Sequence, residues 1–147
     1  MASDITAGQL LGYNQVVAIE NYVRTTIRYE SRMGDSPVSA VEVNARQWGV
    51  CRDLSHLAIS LCRSLTIPAR MVVGYLYGLE PMELHAWFEA YLGGRWYTFD
   101  ATQAEVTGGY VALGYGRAPQ AVVDRERTKL EELKSAEAKL KARIGEL

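Results

Sequence analysis

The sequence predicts an α+β fold: a buried helix with a cysteine at its N-terminus packs on an antiparallel β-sheet, and an amphipathic helix follows at the C-terminus. Three stretches carry that expectation. After Cys51, the apolar residues Leu54, Leu57, Ala58, Leu61 and Leu65 recur at helical spacing, so one face is built for burial. Met71-Val72-Val73-Gly74-Tyr75-Leu76-Tyr77 is a β-rich run suited to the middle of a sheet. Residues 84–92 and 95–102 are strand patterns on either side of Gly93-Gly94, a two-residue hairpin turn.

In chain order, residues 1–13 read as irregular or partly helical. Between 14 and 29, Val16, Ile19, Val23 and Ile27 line one helical face, with Asn14 as the expected N-cap. Residues 31–37 are rich in turn formers and read as a loop. Ser39-Ala40-Val41-Glu42 is a capping box that starts a short helix ending before Gly49. Gly49 permits a tight turn into the Cys51 helix, and Pro68 stops that helix soon after Leu65. Residues 69–77 form the β run, 78–82 a loop, then comes the hairpin, and 111–115 form a short strand after the Gly108-Gly109 turn.

The tail changes character near Val123. Val123, Leu130, Glu137 and Ile144 fall on one heptad position, with Glu126, Leu133, Leu140 and Leu147 on the other. The expected domains are therefore 1–122 and 123–147, the second an engineered or fused extension. Its narrow apolar seam predicts a homo-oligomer formed through the C-terminal helix.

Composition removes several classes of function. At 147 residues, 48% hydrophobic and 22% charged, the chain has the make-up of an ordinary globular domain. A net charge of −1 supplies no electrostatic case for nucleic acid or an anionic membrane. No apolar run has the length of a membrane span or the flanks of a signal peptide, so the expectation is cytoplasmic, with reduced thiols. Cys51 and Cys62 lie about 16 Å apart along one helix, too far to bridge. The histidines and cysteines lack metal-ligand spacing, so neither metal nor cofactor is expected.

The chemistry centres on Cys51. At the start of a helix, unpaired N–H groups and the positive end of the dipole favour negative charge. With Leu92 opposite Arg95, the hairpin places His85 opposite Thr102 and Trp87 opposite Asp100. His85 and Asp100 are then diagonal neighbours about 7 Å apart at Cβ, within reach of a side-chain hydrogen bond. Cysteine, histidine and aspartate in that order form a nucleophile, base and orienter. Cys62, about three turns along, reads as structural. His56 points about 140° away from Cys51 and reads as a structural histidine. Asp53, in the first turn, is expected to meet the helix dipole rather than join the chemistry. Trp87 shares the His85 face. It and Tyr75 are candidates for a cleft wall, with core packing as the competing reading.

Gly49-Val50-Cys51-Arg52-Asp53, Ile67-Pro68-Ala69-Arg70 with Gly74-Tyr75, His85-Ala86-Trp87 and Phe99-Asp100-Ala101-Thr102 resemble, in order and spacing, the motif blocks of the transglutaminase-like superfamily, in its small bacterial cysteine-peptidase-like branch. The resemblance covers roughly residues 14–118; the heptad tail departs from it. It implies a papain-like α+β core and a catalytic triad of Cys51, His85 and Asp100. The implied reaction is acyl transfer through a thioester. The Cys51 N–H would hold the oxyanion with a second donor, for which Asn44, Gln47 and Trp48 are candidates. The expected partner is a peptide or protein amide, and hydrolysis is favoured over transfer to an amine. A non-catalytic assembly module working through the tail helix is the alternative from another class.

Overall fold

The computed structural model describes residues 1–30, 38–104, 108–116 and Ser135. The chain divides into two units, Met1–Arg117 and Ala118–Leu147, and the account below concerns the first. The loop expected at 31–37 and, Ser135 apart, the heptad helix expected at 123–147 lie outside the described residues.

The elements run α1 (Ala2–Ile5), α2 (Tyr13–Thr26), β1 (Arg28–Tyr29), α3 (Ala40–Arg46), β2 (Trp48–Gly49) and α4 (Cys51–Ser64), then β3 (Ala69–Leu76), β4 (His85–Leu92), β5 (Arg95–Phe99) and β6 (Tyr110–Tyr115). Helix α4 is the centre. It contacts α1, α2 and α3 as well as strands β3 and β4. Leu54, Leu57, Ala58 and Leu61 are buried as their spacing predicts, and so are Asp53, Ser55, Ile59 and Cys62. The helix is thus enclosed well beyond its apolar stripe. Val16, Ile19 and Val23 of α2 and Phe88, Ala90 and Phe99 of the sheet join the same core. Each large apolar side chain buried in this way contributes roughly 1.5–3 kcal/mol.

The main sheet is antiparallel in the order β5-β4-β3-β6, so β3 is interior as expected. The β4–β5 ladder sets Leu92 against Arg95 and Phe88 against Phe99. This is the register a two-residue turn dictates, and Gly93 and Gly94 both take positive φ, at 56° and 94°. Strand β5 ends at Phe99 rather than continuing to Thr102. Asp100 turns out of the ladder because its own carboxylate accepts the Thr102 N–H at 2.9 Å.

Two expectations for α2 are corrected. Its N-cap is Gly12, whose N–H is held by Gln15 Oε1 at 3.1 Å, and Asn14 is an exposed residue of the first turn. The helix stops at Thr26 because Arg28 and Tyr29 pair in parallel with Trp48 and Gly49. The N–H groups of Arg28 and Glu30 each reach a carbonyl of that partner segment at 2.9 Å. This long-range pairing outweighs the weak local helix preference. The Ser39 capping box forms as expected, with Ser39 N–H on Glu42 Oε2 at 3.0 Å and Glu42 N–H on Ser39 Oγ at 3.2 Å.

Candidate active site

Cys51 is the first residue of α4, and the turn before it is held tightly. Gly49 packs against the helix so closely that a Cβ there would lie 2.8 Å from Asp53 Cβ. Asp53, fully buried, folds back so that Oδ2 accepts the Val50 N–H at 3.3 Å and Arg46 Nη2 at 2.8 Å. Its Oδ1 accepts from Arg52 Nε at 3.2 Å. The expected dipole contact is therefore supplemented by two guanidinium groups, which make burial of this carboxylate tolerable. Among the described hydrogen bonds none uses the N–H of Cys51, as a first-turn helical donor requires.

One turn after Cys51, on the same helical face, Ser55 Oγ donates to the carbonyl of Ala86 at 3.2 Å. That bond fastens α4 to the residue beside His85, so the thiol and the imidazole are brought together. His85 opens β4 and is 2% exposed. Its Nε2 lies 2.6 Å from Asp100 Oδ2 and 3.4 Å from Thr102 Oγ1. Cys51 lies near enough to the same ring to contribute, with Asp100, to raising its basicity. The diagonal pairing expected of His85 and Asp100 is thus a direct hydrogen bond.

Burial works against a charged His85, but hydrogen bonds with Asp100 and Cys51 outweigh it and raise the ring from 6.5 to about 9. Burial likewise opposes charge on Asp100, while hydrogen bonds from His85 and Thr102 hold its carboxyl below the usual value. Cys62 behaves in the opposite way: wholly enclosed, its thiol is pushed up to about 12 by burial.

Asp100 is gripped at every polar atom. Its Oδ1 accepts the Thr102 N–H at 2.9 Å and hydroxyl at 2.7 Å, and its Oδ2 accepts the Tyr110 hydroxyl at 2.9 Å as well as His85. Its N–H donates to Glu20 Oε1 at 2.8 Å, and its carbonyl accepts from Arg24 Nη2 at 3.1 Å. Glu20 and Arg24 are themselves ion-paired at 3.0 Å. Sequence reasoning missed Glu20, Arg24 and Tyr110. Glu20 had left a signal, since a carboxylate between Ile19 and Val23 on a buried helical face needs a partner. Tyr29 was missed as well. Burial, then the fields of Cys51, Glu83 and Asp100, raise its hydroxyl above the ordinary value.

The remaining candidates are placed elsewhere. Trp87 is 1% exposed and stacks on His85 at 6.1 Å between ring centres, so it backs the imidazole and has no open surface with which to wall a cleft. Tyr75 is exposed on β3 opposite Val111. Gln47 is the exposed αL cap of α3, Trp48 lies 3.9 Å beneath the Arg46 guanidinium, and Asn44 Oδ1 meets the Tyr22 hydroxyl at 3.4 Å. Among the described hydrogen bonds and ring contacts, none joins Asn44, Gln47, Trp48 or Tyr75 to Cys51. His56 is half-buried, and burial holds its imidazole below the ordinary value. Among the described residues no three His, Cys, Asp or Glu side chains gather as metal ligands, and no helix is long and apolar enough to cross a membrane.

Comparison with known proteins agrees with this architecture. A profile described as the transglutaminase-like superfamily matches residues 1–101. An uncharacterised protein of Mycobacterium leprae is 32% identical over 111 residues, which are 69% of this chain and 39% of that protein. A candidate cysteine protease from Cytophaga hutchinsonii superposes with a TM-score of 0.73 at 40% identity, over 78% of this chain and 40% of its own. A transglutaminase (TGase) structure superposes at 0.57 with 23% identity, over 77% of this chain and 32% of its own, and shares the fold. This chain thus spans about two-fifths of the length of the M. leprae and C. hutchinsonii proteins. The helix on an antiparallel sheet, the motif blocks in their order and the profile match agree: the chain belongs to the transglutaminase-like superfamily.

Proposed function

We propose that this chain is a cysteine-dependent acyl-transfer enzyme that hydrolyses an amide or peptide bond, with Cys51 as nucleophile, His85 as general base and acid, and Asp100 as the residue that orients His85. The observation that carries this reading is the buried imidazole paired with a carboxylate at 2.6 Å, with the first-turn cysteine of α4 near enough to act on the same ring. The 40% identity with a candidate cysteine protease supports it.

An imidazole raised to about 9 retains, at neutral pH, the proton it takes from sulfur. The thiolate attacks the amide carbonyl carbon. A C–S bond forms, and the π electrons move to oxygen, which the N–H of Cys51 stabilises. When the tetrahedral species collapses, the C–N bond breaks and His85 delivers its proton to the departing amine. The neutral ring then takes a proton from water as the oxygen attacks the thioester. The C–S bond breaks, a carboxylic acid leaves, and the thiol and imidazole are restored.

Water, at roughly 55 M, dominates the second half unless an amine is bound and oriented beside the thioester. The test is a panel of fluorogenic amides and esters, run with and without a primary amine, on the parent chain and on Cys51→Ala. Free acid as the main product, abolished by Cys51→Ala, is expected. Saturable amine dependence with the conjugate as main product would make the chain a transamidase. Turnover unaffected by Cys51→Ala would remove the nucleophile. Asp100→Asn is expected to lower turnover by up to about 10⁴-fold, as loss of tautomer control does in a comparable triad.

A further inference from the structure

Gly74 occupies a position where β3, β4 and β6 crowd together. It pairs with His85 on one side and Ala112 on the other, and the β3–β6 register shifts between Val73 and Gly74. A Cβ at 74 would overlap the carbonyl oxygen of Val111 and stand 2.9 Å from Trp87 Cη2. Only glycine admits this approach. Its result is felt one residue before Val111. Tyr110 crosses the Trp87 ring edge-on at 4.9 Å and sets its hydroxyl 2.9 Å from Asp100 Oδ2, the oxygen that also meets His85 Nε2 at 2.6 Å.

A carboxylate oxygen with two donors is a poorer base than one with a single donor, because each hydrogen bond to the charged form stabilises it. The phenol therefore draws charge away from the imidazole. It also fixes the direction from which the carboxylate meets the ring, because Tyr110 is wedged against Trp87 and Trp87 against His85. A ring held too basic is slow to protonate a leaving amine, so a competing donor on Asp100 serves the acid half of the reaction. Burial and the charge of Asp100 raise the Tyr110 hydroxyl above its ordinary value, so it remains a donor.

We propose that Tyr110 is a positioning residue for His85, that its hydroxyl aims Asp100 and moderates the basicity of the imidazole through the shared oxygen, and that Gly74 is the residue that lets β6 deliver it. This rests on the reading of Cys51, His85 and Asp100 as the reacting groups. Among the described residues, the polar groups that reach His85 are Cys51 from α4 and Asp100 and Thr102 beyond β5, and Tyr110 from β6 reaches Asp100. Glu20 and Arg24 of α2 hold Asp100 from behind, and Tyr29 of β1 and Glu83 before β4 lie close by.

The test is the titration of the His85 ring by NMR in the full chain without substrate, beside the pH profile of kcat/KM. Tyr110→Phe keeps the ring on Trp87 and removes the donor. The His85 titration is expected to move up by about half a pH unit, with the alkaline limb of activity moving in step. On this basis kcat falls about three- to tenfold with KM unchanged. Tyr110→3-fluorotyrosine, a stronger donor, is expected to move the titration down. Unchanged titration in both folded variants, or shifts of the same sign, would overturn the proposal. Because the titration needs no substrate, failure to cleave any amide overturns the proposed reaction and leaves this result standing.

Discussion

Glu20 on α2 accepts the backbone N–H of Asp100, 80 positions further along the chain, at 2.8 Å. Arg24, one turn later, donates to the carbonyl of that same residue at 3.1 Å. Asp100 lies just past the end of β5; the helix meets its N–H, and the helix and the Gln103 N–H at 3.2 Å meet its carbonyl. The grip matters because the carboxylate that meets the His85 ring at 2.6 Å is only as well placed as its own main chain.

Glu20→Ala leaves the Asp100 N–H and the Arg24 guanidinium without their shared partner. An expected loss of about 2–4 kcal/mol follows from breaking a buried pair and orphaning a buried donor. Glu20→Gln keeps the acceptor but not the charge, and is expected to lose about half as much. Urea midpoints of the two variants check this order, and equal midpoints for Ala and Gln would show that the acceptor contributes nothing.

Stability is expected to decline on the alkaline side. His85 is raised from 6.5 to about 9 in the fold, so the contribution of the protonated ring is complete below its free value and disappears as pH rises through about 9. Asp100 has the opposite sign: lowered from 3.8, it contributes above that value and its share is lost as pH falls through the lowered one. Urea midpoints taken from about pH 5 to about pH 10 should therefore fall above neutrality, and Asp100→Asn should flatten the fall. A midpoint independent of pH across that window would contradict the His85 assignment.

Two small residues set where the thiol stands. Gly49→Ala places a methyl against Asp53 and displaces its hold on the Val50 N–H, for an expected loss of about 1–3 kcal/mol. Ser55→Ala removes the link to Ala86, with about 1 kcal/mol lost. Both are expected to slow alkylation of Cys51 by iodoacetamide, measured by peptide mass spectrometry, because the helix start drifts from His85. Rates equal to the parent's would show that neither residue positions the sulfur.

The hairpin was legible because Gly93-Gly94 leaves one register, and in that register the parity of His85 and Asp100 follows from counting. The Cys51 helix was legible from its apolar period and the glycine and proline that bracket it. What could not be read depends on docking. Tyr110 meets Asp100 from a strand whose pairing shifts register beside Gly74, and Glu20 meets it through the way α2 lies beside the end of β5. The β1–β2 ladder is two residues long on each side, too short for any period to announce it, yet it ended α2 early. Trp87 stood on the correct face of the pattern. Its closure from solvent depends on Tyr110 and Gly74, which no alternation encodes.

Cys51 and Cys62 ride on the same helix, one partly open at its first turn and the other sealed in the core with its thiol pushed up to about 12. A sulfur so enclosed reacts with a soluble reagent only while the surrounding core is open, so its labelling rate counts opening events rather than chemistry. A single alkylation time course on the unaltered chain therefore yields two independent readings from one helix. The early phase reports the environment of the sulfur beside His85. The late phase, slow enough to follow over minutes to days in domains of ordinary stability, reports how often the core around α4 breathes.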